Sequence, residues 1–201
     1  MKQFYFLILL LLVFSCKNEE KNKKINGKEY NPINEIGQTI QNPSSVKYFN
    51  IARSFNKTTE YDSVNHYLKT ALNFEENPII FNELGINEMV NNNQKKAIEY
   101  YKKGIEKDST YSPNYINMSR SYLMLNEYNY SEYILKRLIK NTKSDYWRAN
   151  GNMYLALVYF NGYKDCTRAK QTLQMAKILA NDPEISKQYL DFERTLKTNC
   201  N

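Results

Sequence analysis

Residues 78–111, PIIFNELGINEMVNNNQKKAIEYYKKGIEKDSTY, predict two helices joined by a short polar turn. The turn is Asn91-Asn92-Asn93, and residues at helical spacing mark one face of each half. A single hairpin of this length cannot bury its own apolar face, so neighbouring hairpins must cover it. The face-forming positions are Phe81, Leu84, Gly85 and Glu88 in the first half, and Ala97, Tyr101, Gly104 and Ile105 in the second.

The same spacing occurs before and after this stretch. In three units, a small residue of the first predicted helix stands 12 positions before its counterpart in the second helix, and the units follow at intervals of 33 and 34 residues. A fourth, looser unit has a separation of 13 and begins 37 residues later. This period predicts a stack of hairpins with one continuous core. The paired positions are Ala52 with Val64, Gly85 with Ala97, Ser119 with Ser131, and Ala156 with Ala169.

These residues resemble the tetratricopeptide repeat, a helix-turn-helix of 34 residues with preferred aromatic, Leu, Gly, Tyr and Ala positions. Glu88 stands where the family prefers Tyr, and Ser109 stands where it prefers Pro. The resemblance implies an all-α, right-handed solenoid of about four repeats in residues 45–183, followed by a capping helix and tail in residues 184–201. It also implies a surface that binds a protein partner and carries no catalytic chemistry.

In tetratricopeptide proteins the first helices of the repeats line a concave groove, and the resemblance places the partner site there. The corresponding positions form a mixed apolar and basic surface. Family members that clamp a carboxylate tail use a set of Lys and Asn at fixed groove positions. In this chain the full set is absent, so we do not expect that partner class. The groove positions are Phe49, Arg53, Asn82, Ile86, Met89, Ile116, Arg120, Leu123, Met124, Met153, Leu157 and Phe160.

The N-terminus predicts a membrane anchor. Lys2 precedes an apolar run over residues 4–14, which is too short to span a bilayer and has the length of a signal-peptide core. Leu12-Val13-Phe14-Ser15-Cys16 then resembles the lipobox of bacterial lipoproteins, with Val and Phe where such families usually have Leu and a small residue. We expect a signal peptide in residues 1–15 and a lipidated Cys16 with a flexible tether in residues 16–44; the alternative is an ordinary signal peptide with an incidental Cys.

A lipid anchor implies the cell envelope, as an outer-membrane lipoprotein whose periplasmic or surface orientation stays open. The formal net charge of +7 suits an acidic surface such as lipid headgroups or an acidic partner, although scattered Lys is also typical of a solvated surface. A protein outside the cytoplasm rarely meets DNA. The sequence therefore favours a membrane and a protein as partners and disfavours nucleic acid.

The sequence carries little that indicates catalysis. His66 is the only histidine, and no motif surrounds it. No phosphate loop, paired-Cys zinc spacing or metal-binding helix motif occurs, so we expect no catalytic residue, metal or cofactor.

Cys166 and Cys200 are the two cysteines beyond the lipobox. If the cap runs antiparallel to the last second helix, as neighbouring helices do in the family that these repeats resemble, its end returns to the start of that helix. In an oxidising compartment a disulfide is then our hypothesis. Two cysteines without a bond are the alternative.

The main expectation is thus a non-enzymatic adaptor anchored to the envelope that binds another protein. The alternative is a glycan- or small-ligand-binding accessory lipoprotein, for which the 18 Tyr residues offer stacking surfaces. Aromatic side chains clustered in the groove would favour it, and the predicted register places only Phe49 and Phe160 there. An enzyme would require a polar cluster around His66.

Overall fold

The computed structural model describes residues 40–200, so the predicted signal peptide, Cys16 and the tether up to residue 39 lie outside it. The described residues form nine α-helices and one short 3₁₀ helix, with no strand, which confirms the predicted all-α class. The elements are α1 (Pro43–Ser54), α2 (Tyr61–Leu72), α3 (Pro78–Val90), α4 (Gln94–Lys107), α5 (Ser112–Met124), α6 (Tyr128–Asn141), α7 (Asp145–Asn161), α8 (Cys166–Gln174), the 3₁₀ helix (Lys177–Asn181) and α9 (Ser186–Asn199).

The ends of the helices follow from local sequence. Pro occupies the first turn of α1, α3 and α5, where its missing N–H costs no hydrogen bond. The side chain of Asn77 accepts from the backbone N–H of Ile79 at 2.9 Å and so caps α3. Asn92, Asn126 and Lys164 have φ angles of 61°, 57° and 56°, and each lies in the turn within one hairpin. Asn tolerates this left-handed backbone, so the polar turns reverse the chain at little cost.

The helices form two layers. Among the first helices of the hairpins, α3 contacts α5, and α5 contacts α7. Each of α2, α4 and α6 packs against the first helix of its own hairpin and against the first helix of the next. We call α1, α3, α5 and α7 the first-helix layer, and α2, α4, α6 and α8 the second-helix layer.

The paired positions of the repeat lie where the two helices of each hairpin meet. Seven of the eight side chains are at most 1% exposed, and Gly85 is buried as well. The Oγ of Ser131 donates to the carbonyl oxygen of Ser119 at 3.1 Å. A Cβ at Gly85 would lie 2.3 Å from the ring of Tyr101, so only glycine allows this ring to sit against α3.

The C-terminal end departs from the regular repeat. The fourth hairpin has a longer first helix, α7, and a short second helix that ends at Gln174 before the 3₁₀ helix. The helix α9 begins at Ser186, two residues after the start of the predicted cap at residue 184. Asp182 Oδ1 accepts from the N–H groups of Glu184 and Ile185 in the turn that precedes it. The cap buries one face, consisting of Ile185, Tyr189, Phe192 and Leu196.

A disulfide joins the cap to the fourth hairpin. The Sγ atoms of Cys166 and Cys200 are bonded at 1.97 Å, with their Cα atoms 5.5 Å apart and 34 positions apart in sequence. Cys166 begins α8 and Cys200 follows α9. The bond therefore closes the last helical unit into a covalent loop. No helix within residues 40–200 has both the length and the hydrophobicity needed to cross a bilayer.

Replacing Gly85 with Leu should destabilise the fold, because the new side chain meets the ring of Tyr101. Overpacking of this kind costs about 1 to 3 kcal/mol, which lowers the melting temperature of a chain of this size by about 2 to 12 °C. Thermal unfolding followed by circular dichroism measures the change. Val90→Leu, at a partly exposed position of the same helix, is the control and should melt close to the wild type. Equal melting of both variants would contradict the proposed contact.

Candidate functional site

Most of the residues predicted to line a partner groove are buried between helices. Nine of the twelve are at most 6% exposed. Eight of these nine lie on α3, α5 and α7, which pack directly against one another. Arg53 is exposed, while Ile86 and Met124 are partly exposed. The twelve positions therefore do not form one open surface. The nine buried positions are Phe49, Asn82, Met89, Ile116, Arg120, Leu123, Met153, Leu157 and Phe160.

A pocket of about 200 Å³ opens between α5, α7 and the start of the cap. Ile116 and Arg120 are the predicted groove residues that line it. The other lining residues come from positions that the register did not select and from the cap. We call this site the α5/α7 pocket; it is lined by Pro113, Ile116, Asn117, Arg120, Tyr146, Trp147, Asn150, Tyr154, Glu184, Ile185 and Gln188.

A chain of amide groups holds Arg120 in the wall of this pocket. The Nδ2 of Asn117 donates to Oδ1 of Asn82 at 2.9 Å, from α5 to α3. One terminal nitrogen of Arg120 then donates to Oδ1 of Asn117 at 3.0 Å. The arginine side chain is 5% exposed. A positive charge therefore stands in a fixed position at a largely buried wall.

Another part of the lining is aromatic. The rings of Tyr146 and Trp147 meet edge to face with centroids 5.1 Å apart at the start of α7. Ser144 Oγ caps this helix by accepting from the N–H of Trp147 at 3.3 Å, and Asn150 Nδ2 donates to the carbonyl oxygen of Tyr146 at 3.1 Å. Exposed Glu184 contributes a carboxylate to the lining from the cap side. The pocket thus combines a buried cation, aromatic rings, amides and an exposed acid.

A repeat register alone could not locate these residues. Asn117 lies beside a selected position, and Asn150 lies one helical turn before another, so a wider window along the first helices includes both. The Tyr146-Trp147 pair is a signal of its own, since the chain has a single Trp. Glu184 and Gln188 line the pocket because the start of the cap lies beside α5 and α7.

Glu88 is the centre of a second polar cluster, which is separate from the α5/α7 pocket. Its side chain is fully buried. It lies 2.6 Å from the Nζ of Lys96 and accepts hydrogen bonds from Asn93 Nδ2 at 3.0 Å, from the Tyr61 hydroxyl and from Asn65. Burial by itself raises the pKa of this carboxyl, but the hydrogen bonds outweigh it and hold the pKa below its ordinary value. The ionised carboxylate ties α2, α3 and α4 together.

Glu132 plays a similar part further along the chain. Its carboxylate accepts from the hydroxyls of Tyr159 at 3.2 Å and Tyr163 at 2.8 Å, and pairs with Lys136 at 2.7 Å. Burial and the hydrogen bond to Glu132 raise the pKa of Tyr163 to about 12. A tyrosine with this pKa stays neutral and donates its proton to the carboxylate hydrogen bond. Both acid clusters are therefore ties between helices, away from the α5/α7 pocket.

His66 lies exposed on α2 and packs edge to face on Tyr67 with ring centroids 5.1 Å apart. Among the residues that the structure describes, no group of three His, Cys, Asp or Glu side chains could hold a metal ion.

Comparison with known proteins identifies the fold. No protein-family model matches the chain, and no curated protein does. Solved structures match: YrrB, described as a TPR protein with an unusual peptide-binding site, has 13% identity and a TM-score of 0.59 over 75% of each chain. A MamA protein has 20% identity and a TM-score of 0.59, over 77% of this chain and 83% of its own. MamA from Desulfovibrio magneticus has 17% identity and the same TM-score, over 78% and 90%. The structural similarity confirms the tetratricopeptide-like solenoid. At identities this low, it shows the fold alone.

Replacing Glu88 with Gln should lower stability and change its pH dependence. A carboxyl whose pKa is depressed by folding contributes stability above its unfolded pKa, near 4.5, and loses it as the pH falls toward the folded value. Removal of a buried, hydrogen-bonded charge costs about 1 to 3 kcal/mol. Melting temperatures measured from pH 3 to 7 should therefore converge between wild type and variant at the acid end. Glu106→Gln, at an exposed carboxyl of α4, is the control; a gap between Glu88→Gln and wild type that stays constant with pH would contradict this role.

Proposed function

We propose that the protein is a non-enzymatic scaffold that holds a peptide segment of a partner protein in the α5/α7 pocket. In this proposal a lipidated Cys16 anchors it to the bacterial envelope, as an outer-membrane lipoprotein. The main support for this binding site is the position of Arg120, which is buried, is held by Asn117, and lines the same pocket as the aromatic rings of Tyr146 and Trp147. Arg, Trp and Tyr are the residue types that contribute most to protein interfaces when they line a desolvated pocket.

The size of the pocket favours one side chain of a larger partner. Small-molecule sites usually enclose about 300 to 1,000 Å³, and the α5/α7 pocket has about 200 Å³. A peptide can place one residue in such a space and bind the surrounding helix surface with its neighbours. Peptide binding also agrees with the description of YrrB, a protein of the same fold, as having a peptide-binding site.

The chemistry of the walls suggests what that peptide contains. Ile116 and Ile185 supply apolar contact, and the aromatic rings can stack on a planar or aliphatic group. Arg120 is the buried charge of the pocket, so it favours a carboxylate. We therefore propose a segment with an apolar residue next to an acidic one.

The envelope location draws on two observations. The lipobox-like Leu12–Cys16 stretch is the motif for lipidation, and the Cys166–Cys200 disulfide is of the kind that persists in oxidising compartments. Both agree with a protein exported from the cytoplasm. The tether between Cys16 and α1 would give the solenoid reach from the membrane surface.

A second candidate is a glycan ligand. Three aromatic side chains, Tyr146, Trp147 and Tyr154, line the pocket beside the amides of Asn117 and Asn150. Aromatic faces with flanking amides suit a sugar ring, and one ring is of the size that the pocket encloses.

Arg120→Gln and Tyr146→Ala should each weaken peptide binding. We expect panning of a displayed random-peptide library on the full wild-type chain to enrich apolar-acidic sequences. The enriched peptides should bind either variant at least 10-fold more weakly, because one variant lacks the buried charge and the other lacks an aromatic wall. Isothermal calorimetry measures the affinities. Tyr146 is only partly buried, so its variant keeps the test informative if loss of the buried arginine impairs folding.

Arg53→Gln is the matched control, since Arg53 is a predicted groove residue that lies outside the pocket. It should bind the enriched peptides as wild type does. Equal affinity of all four proteins would contradict the pocket as the peptide site. Failure to enrich any peptide, together with binding on a glycan array that Tyr146→Ala abolishes, would establish the glycan candidate instead.

Lipidation at Cys16 predicts that the protein incorporates a fed fatty acid and partitions into detergent. Several acyl chains on one residue give firm anchoring, at about 0.8 kcal/mol per buried methylene. Metabolic labelling with palmitate should mark wild type and Cys166→Ser and leave Cys16→Ser unmarked. Label retained in Cys16→Ser, or absent from wild type, would contradict the anchor.

A further inference from the structure

The two layers of the solenoid differ in charge. The second-helix layer carries eleven Lys and Arg against four Asp and Glu, whereas the first-helix layer carries four against three. All eleven basic residues of the second-helix layer are exposed. Several of them form no ion pair within the described chain, among them Lys69, Lys103 and Lys140. The net positive charge of the helices is therefore concentrated on one side of the molecule.

Most of the exposed apolar side chains lie on the second-helix layer or directly after its helices. Six large apolar side chains of the described residues are exposed, and none of them lies on the first-helix layer. Tyr130 and Tyr133 lie on α6 and are 60% and 64% exposed. Phe74 follows the end of α2, while Met175 and Ile178 follow the end of α8, and they are 47%, 68% and 55% exposed. The sixth, Leu190, lies on the cap.

We propose that the second-helix layer is a docking face for an anionic phospholipid bilayer. Each lysine near an anionic membrane surface raises the affinity of a protein for that membrane by about fivefold. Tyrosine and other apolar side chains placed among them enter the boundary between headgroups and acyl chains, where a ring with a polar tip is favoured. Each property alone occurs on many surfaces, but together on one layer they match the chemistry of that boundary.

A cleft on this face fits a lipid headgroup. It measures about 630 Å³ and lies between α2, α3 and α4. Lys69, Lys103 and Lys107 line it together with the carboxylates of Glu76 and Glu106 and the rings of Phe81 and Tyr100, so its lysines outnumber its acids by one. Lys107 pairs with Glu76 at 2.9 Å, and the Nζ of Lys103 stands 5.9 Å from the centre of the Tyr100 ring. The ammonium groups of Lys69 and Lys103 would bind the phosphate, and the rings would contact the glycerol and the first methylenes.

This docking would orient the molecule. With the second-helix layer on the bilayer, the first-helix layer and its α5/α7 pocket face away from the membrane and stay accessible. The proposal goes beyond peptide binding and does not require it, and it holds whether or not Cys16 carries lipid.

Sedimentation with lipid vesicles tests the docking face. All proteins are the full chain with Cys16→Ser, so the N-terminal segment is identical and carries no lipid. The ratio of partition coefficients for phosphatidylcholine vesicles with and without 30 mol% phosphatidylglycerol isolates the charge-dependent binding. The variant of the second-helix layer, called the outer-face variant, combines Lys69→Gln, Lys103→Gln and Lys140→Gln. It should lower this ratio by about fivefold for each lysine, or roughly 100-fold in all, at about 0.1 M salt.

The control variant removes the same charge elsewhere, with Lys47→Gln, Arg53→Gln and Lys187→Gln on α1 and the cap. Its ratio should stay within about twofold of wild type, and circular dichroism must show equal helicity and melting for the variants compared. Equal ratios for outer-face and control variants would overturn the proposal. So would a wild type that ignores phosphatidylglycerol but is retained by polyglutamate, which would indicate an acidic protein as the partner of this face.

The apolar contribution is tested with Tyr133→Ser combined with Met175→Ser. Because these side chains enter the bilayer, binding to anionic vesicles that resists 0.5 M salt should fall at least threefold. An unchanged salt-resistant fraction would overturn insertion of this layer.

Discussion

Close approach between neighbouring helices is the constraint on which the rest of the structure depends. The ring of Tyr101 lies against the backbone of α3 because Gly85 has no side chain, and Gly104 lets Asn114 approach α4 in the same way. Ser131 meets Ser119 directly through a hydrogen bond. Small residues at these points set the distance between helices within and between hairpins. Larger ones would force the layers apart and expose the core.

This close packing explains where binding can occur. The first helices α3, α5 and α7 touch, so their facing side chains are buried, and the α5/α7 pocket opens beside residues at the start of the cap. The same contacts bring Asn82 of α3 within hydrogen-bond distance of Asn117, which in turn fixes Arg120. A rigid cation in a small cavity is a consequence of helix spacing. It also gives the peptide proposal a site with defined geometry, which a broad groove would lack.

Polar chemistry is divided between the layers. The buried Glu88 and the partly buried Glu132 accept hydrogen bonds from Tyr, pair with Lys, and serve as ties between helices. Exposed basic residues collect on the second-helix layer, whereas the first-helix layer is nearly neutral. A molecule that binds a partner on one layer and a membrane on the other needs such a division. The two proposed activities therefore use different surfaces and do not compete.

The sequence by itself determined the helical hairpins, their number and the buried pairs such as Gly85 with Ala97, because these depend on spacing along one chain and on small residues at contacts between adjacent helices. It also indicated which cysteines could meet, through the antiparallel cap. Only the tertiary structure decided the site. Whether Met153 or Arg120 lines an opening depends on how neighbouring first helices pack and on where Glu184 and Gln188 of the cap come to rest. Such contacts join residues far apart in sequence, and no periodic pattern encodes them.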